Sequence, residues 1–430
     1  MFQNFMKINY KNDYAVCNKR DKPNFTIVQG GGKIIFDELR QSKSPINIKE
    51  FSKKLAMKYH APEEYLLEDT MTLLSLLNGD RNTDQKTDNN TNIHHLDTYS
   101  MLYNSYTNEN KIFKVFLELT YNCNLNCKHC YLGTDLNTEL KHLTLEKAKE
   151  ILDYLEKFEI VDLCLTGGEL FTNPDAYEII KYASEKNFLT TILTNGTLLT
   201  IDMIDKLVKL PLSQIRISLY GMKDFHNSFV GLSNAFDLSV QALKYMNKIE
   251  PGLGVAVSVI TKDNFKELIS LGSYLKEYNL EHRLSPIIYP TVKGDKSPTK
   301  LRITSKQYEE LLVNGDIGVL GSNCAAGLSR IRISPSGNVN PCELFRNIIF
   351  GNIYELDLKE ILDNREDWIK YIKNSLKNSK CTICNKRKYC PQCLGMFYLE
   401  NGDPGEPSKF LCEWAKIKIE FLKEKHEISD

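Results

Sequence analysis

Between residues 113 and 290, short apolar runs alternate with longer amphipathic stretches. Phe113–Leu119, Val161–Thr166, Phe188–Thr194, Ile215–Leu219, Val255–Ile260 and Arg283–Ile288 read as strands. The stretches between them carry helix-start signals: Thr144 ahead of Leu145, Ala148, Leu152 and Leu155, then Asn173-Pro174, Thr200 and Asp263. Six strands alternating with helices predict an α/β fold with a parallel sheet, either a barrel or a doubly wound sheet. In both, chemistry sits at the C-terminal ends of the strands.

The flanks have other patterns. Asp13–Lys19 and Asn24–Gln29 read as short strands, and Lys33–Leu39, Asn47–Tyr59 and Pro62–Leu77 as helices. From Gly79 to Asn92 there is no hydrophobic residue, so that stretch cannot bury enough surface to order itself. A linker over 79–105 is expected, with the N-terminal unit tethered rather than continuous with the remainder. From about 324 the chain is turn-rich and dense in cysteine, with a helix expected over Asp357–Leu376 and metal standing in for a hydrophobic core.

Composition narrows the class. The chain has 430 residues, enough for two or three domains of about 150 residues each. Its 55 basic and 55 acidic side chains balance, so no net field argues for nucleic acid or an anionic membrane as partner. No signal-peptide or membrane-helix pattern is present, which reads as cytoplasmic. There the twelve cysteines are expected to stay reduced, so metal or cluster ligation is favoured over disulfides. Ten of them fall into two groups, 123–130 and 324–412, leaving Cys17 without an assignment and Cys164 as a small core residue.

Cys123, Cys127 and Cys130 lie on the loop leaving the first strand of the series. Three thiolates on one loop suit a four-iron cluster with one iron left over, although zinc or three unconnected thiols fits the spacing too. The C-x3-C-x2-C loop resembles the signature of radical S-adenosylmethionine (SAM) enzymes. Gly167-Gly168-Glu169 after the second strand, Thr194-Asn195 after the third and Ser218 after the fourth resemble further segments of that family. The resemblance implies a partial (βα)6 TIM barrel in which Gly167, Gly168, Glu169, Thr194, Asn195 and Ser218 bind S-adenosylmethionine. Its reductive cleavage gives a 5′-deoxyadenosyl radical, and the electron comes from a donor such as ferredoxin or flavodoxin. The glycines are expected to let the backbone approach a ligand closely. His129 departs from the family pattern, which often has an aromatic residue before the third cysteine.

Downstream, the order Cys324, Gly337, Cys342, Cys381-x2-Cys384-x5-Cys390-x2-Cys393 and Cys412 resembles the SPASM domain, a carrier of two auxiliary [4Fe–4S] clusters. With the first cluster that makes three. The family's interleaved ligation assigns Cys381, Cys384, Cys390 and Cys412 to an outer cluster, and Cys324, Cys342 and Cys393 to an inner one lacking a fourth cysteine. A zinc ribbon from the two C-x2-C pairs is the alternative. Glu343, directly after Cys342, stands where related enzymes have an acidic base, a solvated carboxylate being the other reading.

The N-terminal unit resembles PqqD-like, winged-helix-type elements that bind the leader of a ribosomal precursor peptide as an added strand. The expected organisation is a recognition unit at 1–78, linker at 79–105, radical core at 106–300 and SPASM domain at 301–430. The function implied is a peptide maturase of the thioether-forming (sactipeptide or ranthipeptide) type. A C–C or C–O cross-linking maturase, a formylglycine-forming sulfatase maturase and a zinc-binding peptide adaptor are the alternatives.

Overall fold

The computed structural model describes residues 5–10, 13–20, 25–28, 31–41, 47–59, 61–77, 98–133, 142–314 and 324–425. Three strands, β1 (Phe5–Tyr10), β2 (Asp13–Asn18) and β3 (Thr26–Val28), form an antiparallel sheet in that order. Next, β4 (Lys114–Glu118), β5 (Asp162–Thr166), β6 (Leu189–Thr194), β7 (Gln214–Ser218), β8 (Gly254–Val259) and β9 (Glu281–Ser285) pair in parallel, each with its successor. Helices such as Leu145–Lys157 and Phe265–Glu277 connect them, giving the barrel alternative rather than the doubly wound one. β9 begins two residues before the expected run, and it ends at Ser285 because Pro286 has no N–H to give a ladder.

Local chemistry explains the elements. Thr144 and Thr200 cap their helices by accepting from the amides of Lys147 and Met203. The starts expected at Asn173 and Asp263 fall on Asp175 and Asn264; the Asn173 side chain donates instead to the carbonyls of Leu119 and Leu143. Ala148, Ile151, Leu152 and Leu155 form the buried stripe of the first barrel helix.

The sheet continues past β4. β10 (Arg330–Ile333) pairs parallel to β4, and β11 (Asn338–Asn340) and β12 (Gly351–Asn352) follow antiparallel, so the C-terminal region is built onto the barrel. It also has an apolar core, contrary to expectation. Phe345, Phe350, Trp368, Phe397, Leu411 and Trp414 belong to one buried cluster with the barrel strands. The helix expected over Asp357–Leu376 is two helices, Leu358–Asp363 and Glu366–Asn378.

The N-terminal unit is docked, not merely tethered. Side chains alternate across its sheet: Phe5 and Val16 pack on the unit's own helices, whereas Met6, Ile8, Ala15 and Cys17 pack against Phe113, Val161 and Leu189 at the amino end of the barrel. Cys17 is thereby assigned to an apolar interface. Lys19 reinforces it by donating to the carbonyl of Ser184 at 2.9 Å, and Arg20 by pairing with Glu250 at 2.9 Å. The linker expected over 79–105 is also revised at its end. Thr98–Asn108 is a helix, whose Tyr99, Tyr103 and Tyr106 meet Phe113 edge-on, while 79–97 lies outside the described residues. No helix among the described residues is long and apolar enough to cross a membrane.

Candidate active site

The loop leaving β4 brings Cys123, Cys127 and Cys130 to the C-terminal end of the barrel. They border a cavity of about 210 Å³ with Gly167, Gly168, Thr194, Asn195 and Ser218, from the loops after β5, β6 and β7. Burial pushes the Cys123 thiol up to about 11 and Cys127 further, and their neighbouring sulfurs add to the rise. Such thiols hold their protons unless positive charge is brought among them, and a bound metal cluster would supply that charge to three sulfurs converging on one cavity. The donor set therefore fits an iron–sulfur cluster.

Glu169 organises this end without bordering the cavity. Its carboxylate accepts from the Thr194 hydroxyl at 2.7 Å and the Asn195 amide at 2.7 Å, and its own amide donates to the Asn122 carbonyl at 2.7 Å. Three loops are thus tied at one residue. The glycines serve the same packing: a Cβ on Gly168 would stand 2.3 Å from the Asn122 oxygen, and one on Gly167 2.5 Å from that of Thr120. The close approach seen here is therefore to the cysteine loop. Asn195 also donates to the Asn124 side chain at 2.9 Å, joining its turn to that loop.

His129 substitutes for an aromatic residue structurally. Its ring stacks on Phe229 at 5.3 Å and meets Tyr220 edge-on at 4.7 Å, and burial lowers its pKa to about 4, leaving it neutral. Tyr220, two residues after Ser218, and Tyr131, which sequence reasoning passed over, also line the cavity. The adjacent aromatic character of positions 129 and 131 was the available signal.

Tyr131, Thr166 and Leu193 border a second, larger cavity as well, of about 930 Å³. Cys324, Cys342 and Cys393 open onto it, as does Glu343. Cys381, Cys384, Cys390 and Cys412 instead surround a separate cavity of about 480 Å³. The adjacent C-x2-C member pair Cys390 and Cys393 is thus split between two groups, as the interleaved assignment requires and a single four-cysteine zinc ribbon does not. Cys164, buried in β5, shares the barrel-facing side of its strand with Thr166.

Residues 117–272 match the family model of the radical SAM superfamily, and residues 324–393 that of the SPASM iron-sulfur cluster-binding domain. The chain is 26% identical to the AdoMet-dependent heme synthase of Methanosarcina barkeri, over 66% of this chain and 92% of that protein. It is 28% identical to the antilisterial bacteriocin subtilosin biosynthesis protein AlbA of Bacillus subtilis, over 70% of each. Its fold is similar to that of Streptococcus suis SuiB bound to precursor peptide SuiA, with TM-score 0.61 over 95% of this chain and 98% of that one, at 17% identity.

Proposed function

We propose that this radical SAM enzyme with a SPASM domain is a peptide maturase that joins a cysteine sulfur to a carbon within a ribosomally made precursor peptide. The observation carrying the reading is that Tyr131, Thr166 and Leu193 border both the cavity of Cys123, Cys127 and Cys130 and the cavity of Cys324, Cys342 and Cys393, so the two lie side by side. A peptide segment in the larger cavity lies between the two thiol sites. The likeness to a bacteriocin biosynthesis protein and to a precursor-bound fold supports the same class.

When bound, S-adenosylmethionine and its [4Fe–4S] cluster supply a 5′-deoxyadenosyl radical that takes a hydrogen atom from a peptide carbon. Cys123, Cys127 and Cys130 would hold that cluster, and Gly167, Gly168, Thr194, Asn195 and Ser218 would line the cofactor's seat. Glu169 holds those turns in place. Cys381, Cys384, Cys390 and Cys412 would hold the outer auxiliary cluster, and Cys324, Cys342 and Cys393 the inner one, with one thiolate fewer than a four-cysteine site. Glu343, in the same cavity, accepts the proton released by the peptide thiol, and the inner auxiliary cluster, when bound, would supply the acceptor for the one electron left over when the thiolate joins the carbon radical.

The leader docks on the N-terminal sheet. At β1 the outward backbone N–H and C=O of Lys7 are both taken by the Asn187 side chain, at 3.0 and 2.5 Å, which leaves β3 as the edge for an added strand. An electron donor such as ferredoxin or flavodoxin, and a cytoplasmic location, complete the reading.

The test is anaerobic incubation with S-adenosylmethionine, a reductant and the precursor encoded beside this chain. Loss of two hydrogens per cross-link, blocked by alkylating the peptide cysteines, is expected. An unchanged product after replacing those cysteines would turn the assignment to C–C or C–O cross-linking. Turnover of an iron tetrapyrrole in place of the peptide would overturn peptide maturation altogether.

A further inference from the structure

Among the described residues, one guanidinium bordering the larger cavity forms no ion pair. Arg330 opens β10, and its pairing with Lys114 sets it beside the start of β4. Its guanidinium lies over the Phe116 ring, 5.2 Å from the centroid, and borders the cavity of about 930 Å³. Its Nε is sealed from solvent without a hydrogen-bond partner, and among the described residues the guanidinium enters no ion pair.

The neighbouring cations are engaged. Lys114 pairs with Asp162 at 2.8 Å, and Arg332, two residues along β10, pairs with Glu118 and donates to Asn340 at 2.5 Å. Arg365 gives its guanidinium to the carbonyls of Gly327 and Leu328. Among the described residues, Glu343 is the one carboxylate bordering the cavity, yet it forms no ion pair with Arg330. Two opposite charges thus face one chamber without meeting, and the other walls include Phe116, Leu193 and Ile287.

An enclosed guanidinium short of acceptors is matched best by a carboxylate, which takes Nε and an Nη together in a planar two-point pair. A phosphate dianion is disfavoured by Glu343 in the same chamber. The carboxylate of S-adenosylmethionine is not the partner, because Arg330 does not border the cavity ringed by Cys123, Cys127 and Cys130.

We propose that Arg330 anchors a carboxylate of the precursor peptide, from an Asp or Glu side chain near the reacting carbon or from the peptide's C-terminus. This rests on the larger cavity being the peptide site, but not on which bond the enzyme forms. The pair fixes the register of the peptide and so selects which residue reaches the wall at Tyr131 that the two cavities share.

The experiment uses the anaerobic holoenzyme and a set of precursor peptides in which each Asp or Glu is replaced by its amide, together with a C-terminal amide. KM for modification is measured by mass spectrometry, and binding of the leaderless core peptide by fluorescence anisotropy, which needs no turnover. One member of the set is expected to lose affinity by about tenfold or more, the cost of removing a charged hydrogen-bond partner. Whether it is a side-chain amide or the terminal amide identifies the source. R330Q should lose the same factor with the parent peptide and nothing further with the sensitive amide, and R330K should recover part of it. Iron content and visible spectrum of R330Q should match the parent.

Equal KM and equal binding for the parent and every amide peptide would overturn the proposal. So would an R330Q enzyme with altered iron content or spectrum and unchanged peptide affinity, which would make Arg330 a counter-charge for Cys324 and Cys342. A bond other than a thioether in the product leaves these binding comparisons intact and counts only against the proposed function.

Discussion

Glu118 and Arg346 join the two halves of the site: Nη2 of Arg346, four residues after Cys342, donates at 2.5 Å to the carboxylate that ends β4. The other Glu118 oxygen receives Arg332, which also donates to the Tyr121 hydroxyl at 2.8 Å, two residues before Cys123. One buried carboxylate therefore holds the first cysteine loop against the C-terminal region. Removing its charge leaves two enclosed guanidinium groups uncompensated. Glu118→Gln is expected to cost about 3–5 kcal/mol of stability, read as a lower denaturation midpoint under anaerobic conditions. A midpoint equal to the parent's would show that the network contributes nothing net.

The same carboxylate sets a pH dependence. Burial alone raises the Glu118 pKa, but Arg332 and Arg346 outweigh it and hold the group below its ordinary value. A depressed folded-state pKa contributes stability that is fully present above the unfolded value, about 4.3, and is lost as pH falls through the lower folded value. Glu169 has the opposite sign: burial raises it despite the Asn195 and Thr194 donors, so its contribution declines as pH rises from the ordinary value to the folded one. Acid denaturation of the parent should therefore steepen below about pH 4.3, and Glu118→Gln should flatten that limb. Parallel acid limbs for the two proteins would contradict the assignment.

The barrel was legible because strands buried on both faces read as continuous apolar runs, and because Thr144 and Thr200 mark helix starts within the chain itself. β10 was not. Its sequence Arg-Ile-Arg-Ile looks solvated, and only the fold brings Glu118 to Arg332 and the cavity to Arg330. The Thr98–Asn108 helix hid in the same way: its Tyr99, Tyr103 and Tyr106 have helical spacing, but Asn104, Ser105, Thr107 and Asn108 around them resemble the polar stretch before it. The first cysteine group stood out because its three members share one short loop, and the second through its resemblance to a domain pattern, whereas Tyr131 matters only because it borders two cavities.

Gly168 gives a local test of the first cysteine loop. A Cβ there would stand 2.3 Å from the Asn122 oxygen and 2.8 Å from its carbonyl carbon, both backbone atoms with no rotamer to yield. Gly168→Ala should cost about 1–3 kcal/mol as overpacking or displace the loop. The expected readout is loss of the S-adenosylmethionine-dependent change in the cluster's electron paramagnetic resonance signal, with the auxiliary signals retained. Gly272, inside the helix Phe265–Glu277, is the contrast. Its nearest neighbour to an added Cβ is His282 Nδ1 at 3.8 Å, so Gly272→Ala should be neutral or stabilising by about 0.4–1 kcal/mol. Equal signals in the two variants would mean that the Gly168 contact is not what positions the loop.

Cys390 and Cys393 provide the sharpest test of the C-terminal region, because they are three residues apart in sequence and open onto different cavities. Burial and the neighbouring Cys412, Cys381 and Cys384 sulfurs push Cys390 up to about 12, whereas Cys393, also about 12, feels burial and Cys324. If each serves its own cluster, Cys390→Ser and Cys393→Ser should each remove about four irons per chain while leaving a different auxiliary signal behind. Only Cys393→Ser should disturb peptide processing in the larger cavity directly, since Cys390 does not border it. A zinc ribbon built from both C-x2-C pairs makes the opposite forecast: either substitution releases the same zinc ion, and iron content is unchanged. Iron, zinc and sulfide analysis of the three proteins after anaerobic purification decides between these arrangements.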